Sequence, residues 1–232
     1  MRWKRDQAGY FGLAEGGGEG VIKVENISVW GFEHAIRGMR NPMNSHSKSD
    51  SGYIASGKRY ENVDYVVGQR DLELMRKLVR AGSEHRKFLR QIFVSMDITT
   101  NHTVWAEVDT YKIGVTRNSC SKMHTIHKKE FTMDDFTHEN TDQIPLIEEH
   151  VENTIETLNA LRDKYLETGD KLYWRAMIDI LPMSYNLKAT VTMNYENVLN
   201  IIRQRSGHKM TEWSEFVGIL KRLPYMNTLS MS

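Results

Sequence analysis

The 232-residue chain holds a single cysteine, Cys120. A lone thiol forms no internal disulfide, and no Cys/His quartet of finger-like spacing accompanies it. Neither cross-links nor structural zinc are therefore expected to hold the fold, and a reducing, cytoplasmic setting is. Charge of one sign is also lacking: 31 Lys and Arg against 30 Asp and Glu leave +1. A nucleic-acid binder built on a broad cationic face would show the excess in its composition, so that class is disfavoured, while a small anionic ligand is not. No apolar run approaches the roughly 20 residues of a membrane span, and the first twenty residues have no signal-peptide core. The glycines form neither G-x-G-x-x-G after a strand nor the G-x-x-x-x-G-K-[ST] phosphate loop, which argues against Rossmann and P-loop folds. What is present is 40% apolar and 26% charged residues, the balance of an ordinary globular protein, in a length that suits one domain or a tightly joined pair.

The only low-complexity tract is EGGGEG at 15–20, so residues 1–20 are read as a flexible arm and 21–232 as a single domain. VIKVENISVWGF predicts a strand, followed by a helix FEHAIRGMRNP that stops at Pro42. The stretch NSHSKSDSGYIASGKRY has no periodicity and reads as a loop. Asp71 is the expected N-cap of a helix LELMRKLVRAG whose Leu72, Leu74, Met75 and Leu78 share a face and whose Gly82 ends it. QIFVSMDI is nearly continuously apolar, as in a strand buried on both faces, and TVWAEVDTYKIG follows as a helix. A polar loop, VTRNSCSKMHTIHKKEF, leads to a long amphipathic helix beginning at Pro145 with Leu146, Val151, Ile155, Leu158 and Leu161 on its apolar side. KLYWRAMIDILP reads as a helix, LKATVTMNY as a half-exposed strand, and YENVLNIIRQRSG as a helix burying Val198, Leu199, Ile201 and Ile202. The last helix, TEWSEFVGILKRLP, opens on a capping-box-like Thr211 to Glu215. The class is mixed α and β, with no internal repeat.

Two segments carry a pattern. SEHRKFLRQIFVSMDI, TVWAEVDT and YKIGVTRNSCSKMH follow one another from Ser83, and Leu181-Pro182, Asn194, Asn200 and Arg205 recur later. The order resembles that of the flavin-dependent thymidylate synthases over roughly residues 21–222. In that family a His-x-x-x-x-Glu-His segment feeds a strand, a helix and the signature Arg-His-Arg-x-x-Ser-x-Asn-Glu-x-Ser-x-Arg-Tyr, and a Leu-Pro, a strand and an Asn-x-Arg helix come later. Asn118 and Ser121 keep the signature Asn and second Ser, and Thr116 stands for the first Ser. The departures are Tyr111-Lys112-Ile113 for Arg-His-Arg, Ser119 for Glu, Met123-His124 for Arg-Tyr, and Glu196 for the Arg of the later helix. Arg117, Lys122 and the cluster His85, Arg86, Lys87 and Arg90 offer cations from other positions.

The resemblance implies a thymidylate synthase-like fold, a central, mainly antiparallel sheet with flanking helices, assembled as a homotetramer. It implies reductive methylation of deoxyuridylate (dUMP), with one carbon from methylenetetrahydrofolate and hydride from reduced flavin adenine dinucleotide (FAD) recharged by NADPH. Arg205 would polarise the pyrimidine. Lys112, Asn118, Asn194 and Asn200 would hold the flavin, and Thr116, Arg117, Ser119, Ser121, Lys122 and Arg205 the nucleotide. The substituted Tyr111-Lys112-Ile113 keeps open a second reading, a nucleotide-binding protein on the same fold without flavin. Taken without the resemblance, Asn118 and Ser121 read as turn residues and Arg205 as a solvated helical side chain. Cys120, His124 and His127 make an incomplete metal set, and Cys120 lacks an orienting base. His102 and His150 read as surface residues.

Overall fold

The computed structural model describes residues 3–5, 11–13, 21–56, 62–139 and 143–231; the EGGGEG tract and most of the expected N-terminal arm lie outside the described residues. Two compact units result: residues 1–98, 111–117 and 190–232 form the first, and 99–110 and 118–189 the second. The chain passes from one to the other within strands and short connections.

In the first unit β1 (Trp3–Arg5) and β2 (Phe11–Leu13) pair antiparallel, and β2 pairs antiparallel with β3 (Lys23–Trp30). Gly31 turns β3 into α1 (Phe32–Arg40) at φ +97°, where a Cβ would lie 2.1 Å from the Gln91 carbonyl oxygen. Only glycine meets both demands. A 3₁₀ turn at Asn41–Met43 follows α1, and the described part of the expected 44–60 loop, 44–56, holds a second 3₁₀ turn (His46–Lys48) and β4 (Gly52–Ser56), which pairs antiparallel with β5 (Asn62–Val66).

Helix α2 (Gln69–Arg80) starts two residues before Asp71, with Gly68 as its N-cap. Asp71 is instead fully buried and accepts from Arg40 Nε (2.6 Å), from the hydroxyls of Ser49 and Ser51, and from the backbone N–H groups of Asp50 and Ser51. Arg40 in turn donates to the Ser45 and Lys48 carbonyls. The pair thus fastens the Ser-rich stretch that lacks apolar anchors. Gly82 lies at φ +110° just beyond the C-cap of α2, as expected.

Strand β6 (Phe93–Asn101) alternates rather than burying both faces: Val94, Met96 and Ile98 are buried, while Asp97 on the other face accepts from Asn26 and Thr190. Ser95 meets Thr192 as Asp97 meets Thr190, so β6 and β8 (Asn186–Asn194) run antiparallel. Strand order in this unit is β1-β2-β3-β6-β8. The helices α7 (Tyr195–Arg205), α8 (Thr211–Lys221) and α9 (Met226–Ser230) complete it, and Val198, Leu199, Ile201 and Ile202 are buried as their spacing predicts. Thr211 is the first residue of α8 and Met210 its cap, so the expected capping box is not formed.

In the second unit Asn101 caps α3 (His102–Val108) by accepting from the Val104 N–H. The helix is half the expected length, because residues beyond Val108 turn away. The Trp105 indole donates to the Leu187 carbonyl at 2.8 Å. Strand order β6-β8-β7 places the end of β7 (Thr116–Ser119) beside β8, and the Cys120 N–H bonds the Lys188 carbonyl. Helices α4 (Lys122–Thr125), α5 (Pro145–Thr168) and α6 (Lys171–Ile180) follow. Ile126, Phe131, Phe136, Leu158 and Met177 form the core of this unit, with Ile155, Leu161 and Trp174 packed against it. Leu146, placed on the apolar side by periodicity, is 73% exposed.

Candidate functional site

Three groupings of polar side chains stand out, two in the first unit and one in the second. The first forms where the family signature begins. Tyr111 Oη donates to Gln204 Oε1 (2.9 Å) and accepts from Arg205 Nε (3.2 Å). The Arg205 guanidinium lies over the Trp213 ring, 4.6 Å from its centroid. Arg205 is therefore stacked and oriented rather than simply solvated, a setting that favours the delocalised guanidinium. Lys112 and Ile113 are exposed, and Gly114 adopts φ +73° with the Asn194 amide nitrogen 2.7 Å from where a Cβ would lie. Asn194 is the N-cap of α7: its Oδ1 accepts from the Asn197 N–H (3.0 Å), and Asn197 Oδ1 accepts from the Asn194 N–H (3.3 Å). The Asn197 amide also donates to the Ile113 carbonyl (2.9 Å), which ties the signature loop to the helix start.

The second grouping centres on Glu196 in the first turn of α7. Arg86 Nε donates to Oε1 at 3.2 Å and Arg90 Nε to Oε2 at 2.5 Å, while Arg86 Nη2 reaches Asn200 Oδ1 at 3.2 Å. Burial pushes the Glu196 carboxyl up, but the hydrogen bonds from Arg90 and Arg86 outweigh it and hold the group below its usual range. The helix N-terminus favours the same anion. His85 and Lys87, the other members of the basic cluster, are exposed.

In the second unit the exposed Asn118 and Ser119 end β7. Ser121 precedes α4, and its carbonyl accepts from the Thr125 hydroxyl (2.8 Å). Half-buried Lys122 places Nζ 3.1 Å from His102 Nε2, and burial lowers the lysine pKa. The His102 ring stacks on Tyr185 at 6.2 Å, whose hydroxyl is pushed up chiefly by burial. Cys120 Sγ lies 3.5 Å from the Thr125 hydroxyl, and among the described residues no group of three or more His, Cys, Asp or Glu side chains is placed to hold a metal.

The candidates thus divide. Arg205, Asn194 and Asn200 belong to the first unit, as do Lys112 and the exposed Thr116 and half-buried Arg117; Asn118, Ser119, Ser121 and Lys122 belong to the second. Sequence reasoning missed His102, Tyr111 and Trp213 as partners of the candidate cations, and Asn197 as the second half of a cap. The three-residue spacing of Asn194 and Asn197 was the legible signal for that cap. The four-residue spacing of Arg86 and Arg90 was another, but nothing local marks Glu196, about a hundred residues away, as their acceptor.

No curated protein matches the chain in sequence. Two crystal structures of thymidylate synthase X (ThyX) from Helicobacter pylori, both with FAD and dUMP, match its fold with TM-scores of 0.65 and 0.64, each at 16% identity over 90% of this chain and 96% of that one. The family model described as thymidylate synthase complementing protein matches residues 35–215, most of the chain, and the chain belongs to that family of flavin-dependent thymidylate synthases.

Proposed function

We propose that the chain is a divergent flavin-dependent thymidylate synthase-like protein whose ligand is deoxyuridylate or a close pyrimidine nucleotide. The observation that carries this reading is the family match over 35–215 together with the fold it shares with proteins solved with FAD and dUMP. The reaction of that class methylates deoxyuridylate reductively, taking carbon from methylenetetrahydrofolate and hydride from FAD recharged by NADPH. The roles assigned here are polarisation of the pyrimidine by Arg205 and nucleotide binding by Thr116, Arg117, Ser119, Ser121 and Lys122. Stacking of Arg205 on Trp213 supports its role, since a guanidinium already oriented loses less freedom when it takes a carbonyl or phosphate oxygen. Lys122 supports nucleotide binding in a second way: a half-buried ammonium whose charged form burial disfavours gains from a nearby anion. A homotetramer in the cytoplasm completes the reading.

The fit to flavin is poorer. Of Lys112, Asn118, Asn194 and Asn200, only Lys112 is cationic, and Asn194 Oδ1 is spent on the helix cap while Asn200 Oδ1 accepts from Arg86. Arg86 and Arg90, the cations best placed to compensate, are bound by Glu196. These residues do not make a cationic clamp for a diphosphate. That observation favours the second reading, a nucleotide-binding protein that has given up flavin. Purification with added FAD and titration calorimetry with deoxyuridylate decide between them. A yellow protein that also binds deoxyuridylate supports the enzyme, and a colourless one that binds deoxyuridylate supports the second reading. A well-folded protein that binds neither overturns both.

A further inference from the structure

Glu196 gives each carboxylate oxygen its own guanidinium, Arg86 at Oε1 and Arg90 at Oε2. Two arginines four residues apart on one 3₁₀ helix (Arg86–Gln91), with the Asn200 side chain bonded to the first, make the kind of arrangement that receives a pair of phosphate oxygens. Here the oxygens come from the chain itself. Arg203 is a further cation nearby, its pKa lowered first by burial and then by the charge of Arg86, while Glu84 adds a second carboxylate's field at Arg90.

We infer that Glu196 is a specificity-determining residue, whose carboxylate fills from within an anion site built by Arg86, Arg90 and Asn200 and so excludes the phosphate or diphosphate of a ligand, a flavin's included. The inference uses the nucleotide reading only to say which ligand is excluded; the filled site stands on the geometry. An intramolecular carboxylate acts at an effective concentration that a dissolved phosphate at micromolar levels does not match. Removing its charge leaves two guanidiniums without a counter-ion, and an added anion then supplies one.

The test is calorimetric titration of the full chain with inorganic pyrophosphate and with FAD at low ionic strength, in the wild type and in Glu196→Gln. The variant should bind pyrophosphate at least about tenfold more tightly than the wild type. The gain should shrink as salt rises and disappear when Arg86→Ala is added. FAD should follow pyrophosphate, read as visible absorbance retained after gel filtration. A wild type that binds pyrophosphate as tightly as the variant overturns the inference, as does a folded variant that gains nothing. Should Glu196→Gln fail to fold, Glu196→Asp draws the charge back by one methylene and should show a smaller gain of the same kind; a folded Asp variant without it is equally decisive. Deoxyuridylate titrated into the wild type separates the two readings. Heat with deoxyuridylate and no gain at Glu196→Gln sinks this inference alone, and the opposite pattern sinks the nucleotide reading alone.

Discussion

Arg205 and Asp71 show how differently a charged side chain can be held. Arg205 gives one hydrogen bond to Tyr111 and a face to Trp213. Losing the first costs about 0.5–1.5 kcal/mol and losing the second about 0.5–2 kcal/mol, so Arg205→Ala should destabilise the protein by roughly 1–3 kcal/mol, well beyond an ordinary surface change. Urea unfolding measures it, and a loss under about 0.5 kcal/mol would show that the stack holds nothing. Because the substitution acts on stability as well as on any ligand, its effect on deoxyuridylate affinity has to be read below the melting range. Asp71 is the larger commitment, a buried carboxylate with five donors. Removing one side of such a pair costs about 3–5 kcal/mol, and Asp71→Ala should release the 45–51 stretch together with α2. Burial raises the Asp71 pKa, but the bonds from Ser49, Ser51 and Arg40 outweigh it and the pKa is lowered. A depressed carboxyl contributes stability that is complete above its unfolded value, near about 3.9, and is lost as pH falls through the folded value. Melting temperature should therefore decline below about pH 4, and Asp71→Asn should flatten that decline.

At the scale of elements, turns carry constraints that propensity does not describe. Gly31→Ala puts a methyl group 2.1 Å from a backbone oxygen at positive φ, whereas Gly82→Ala, also at positive φ, meets nothing within 4 Å. Both pay the left-handed penalty of about 1–2 kcal/mol, but only Gly31→Ala must also move the backbone at Gln91. Thermal melts should rank it clearly the worse, and equal melts would place the strain elsewhere. Legibility follows the same division. Helices α1, α5, α6, α7 and α8 and strands β3 and β8 could be read from periodicity, since burial of Val198, Leu199, Ile201 and Ile202 leaves an imprint every three or four residues, whereas β6 is legible only as an apolar run whose alternation the sequence hides. The hairpin β4–β5 and the short α9 leave none. Asp71 misled because a buried ion pair occupies a polar residue at the place where a cap is expected, and its partner Arg40 is 31 residues away. The site is legible in the same measure: Asn194, Asn200 and Arg205 are spaced along one helix, whereas their partners Arg86, Tyr111 and Ile113 come from segments that only folding brings to it.

At the scale of the whole molecule, the second unit poses a question that its own core does not answer. Leu158 and Met177 are fully enclosed, yet Leu146, Leu166 and Leu172 on the same two helices are 73, 54 and 69% exposed. Single exposed leucines are ordinary, but several along a helical pair of one compact unit present apolar area that association would remove from water. Each fully buried leucine contributes about 1.5–3 kcal/mol, so a symmetric contact that covers even a few of them offsets a substantial part of the cost of holding two chains together. The proposed homotetramer accordingly predicts a light-scattering mass several times the 27.0 kDa of one chain at micromolar concentration. Leu172→Glu and Leu146→Glu, each of which buries a charge if the helices are covered and costs little if they face water, should lower that mass without unfolding the chain. A mass of 27.0 kDa for the wild type would overturn the tetramer, and an unchanged oligomer in both variants would move its interface off these helices.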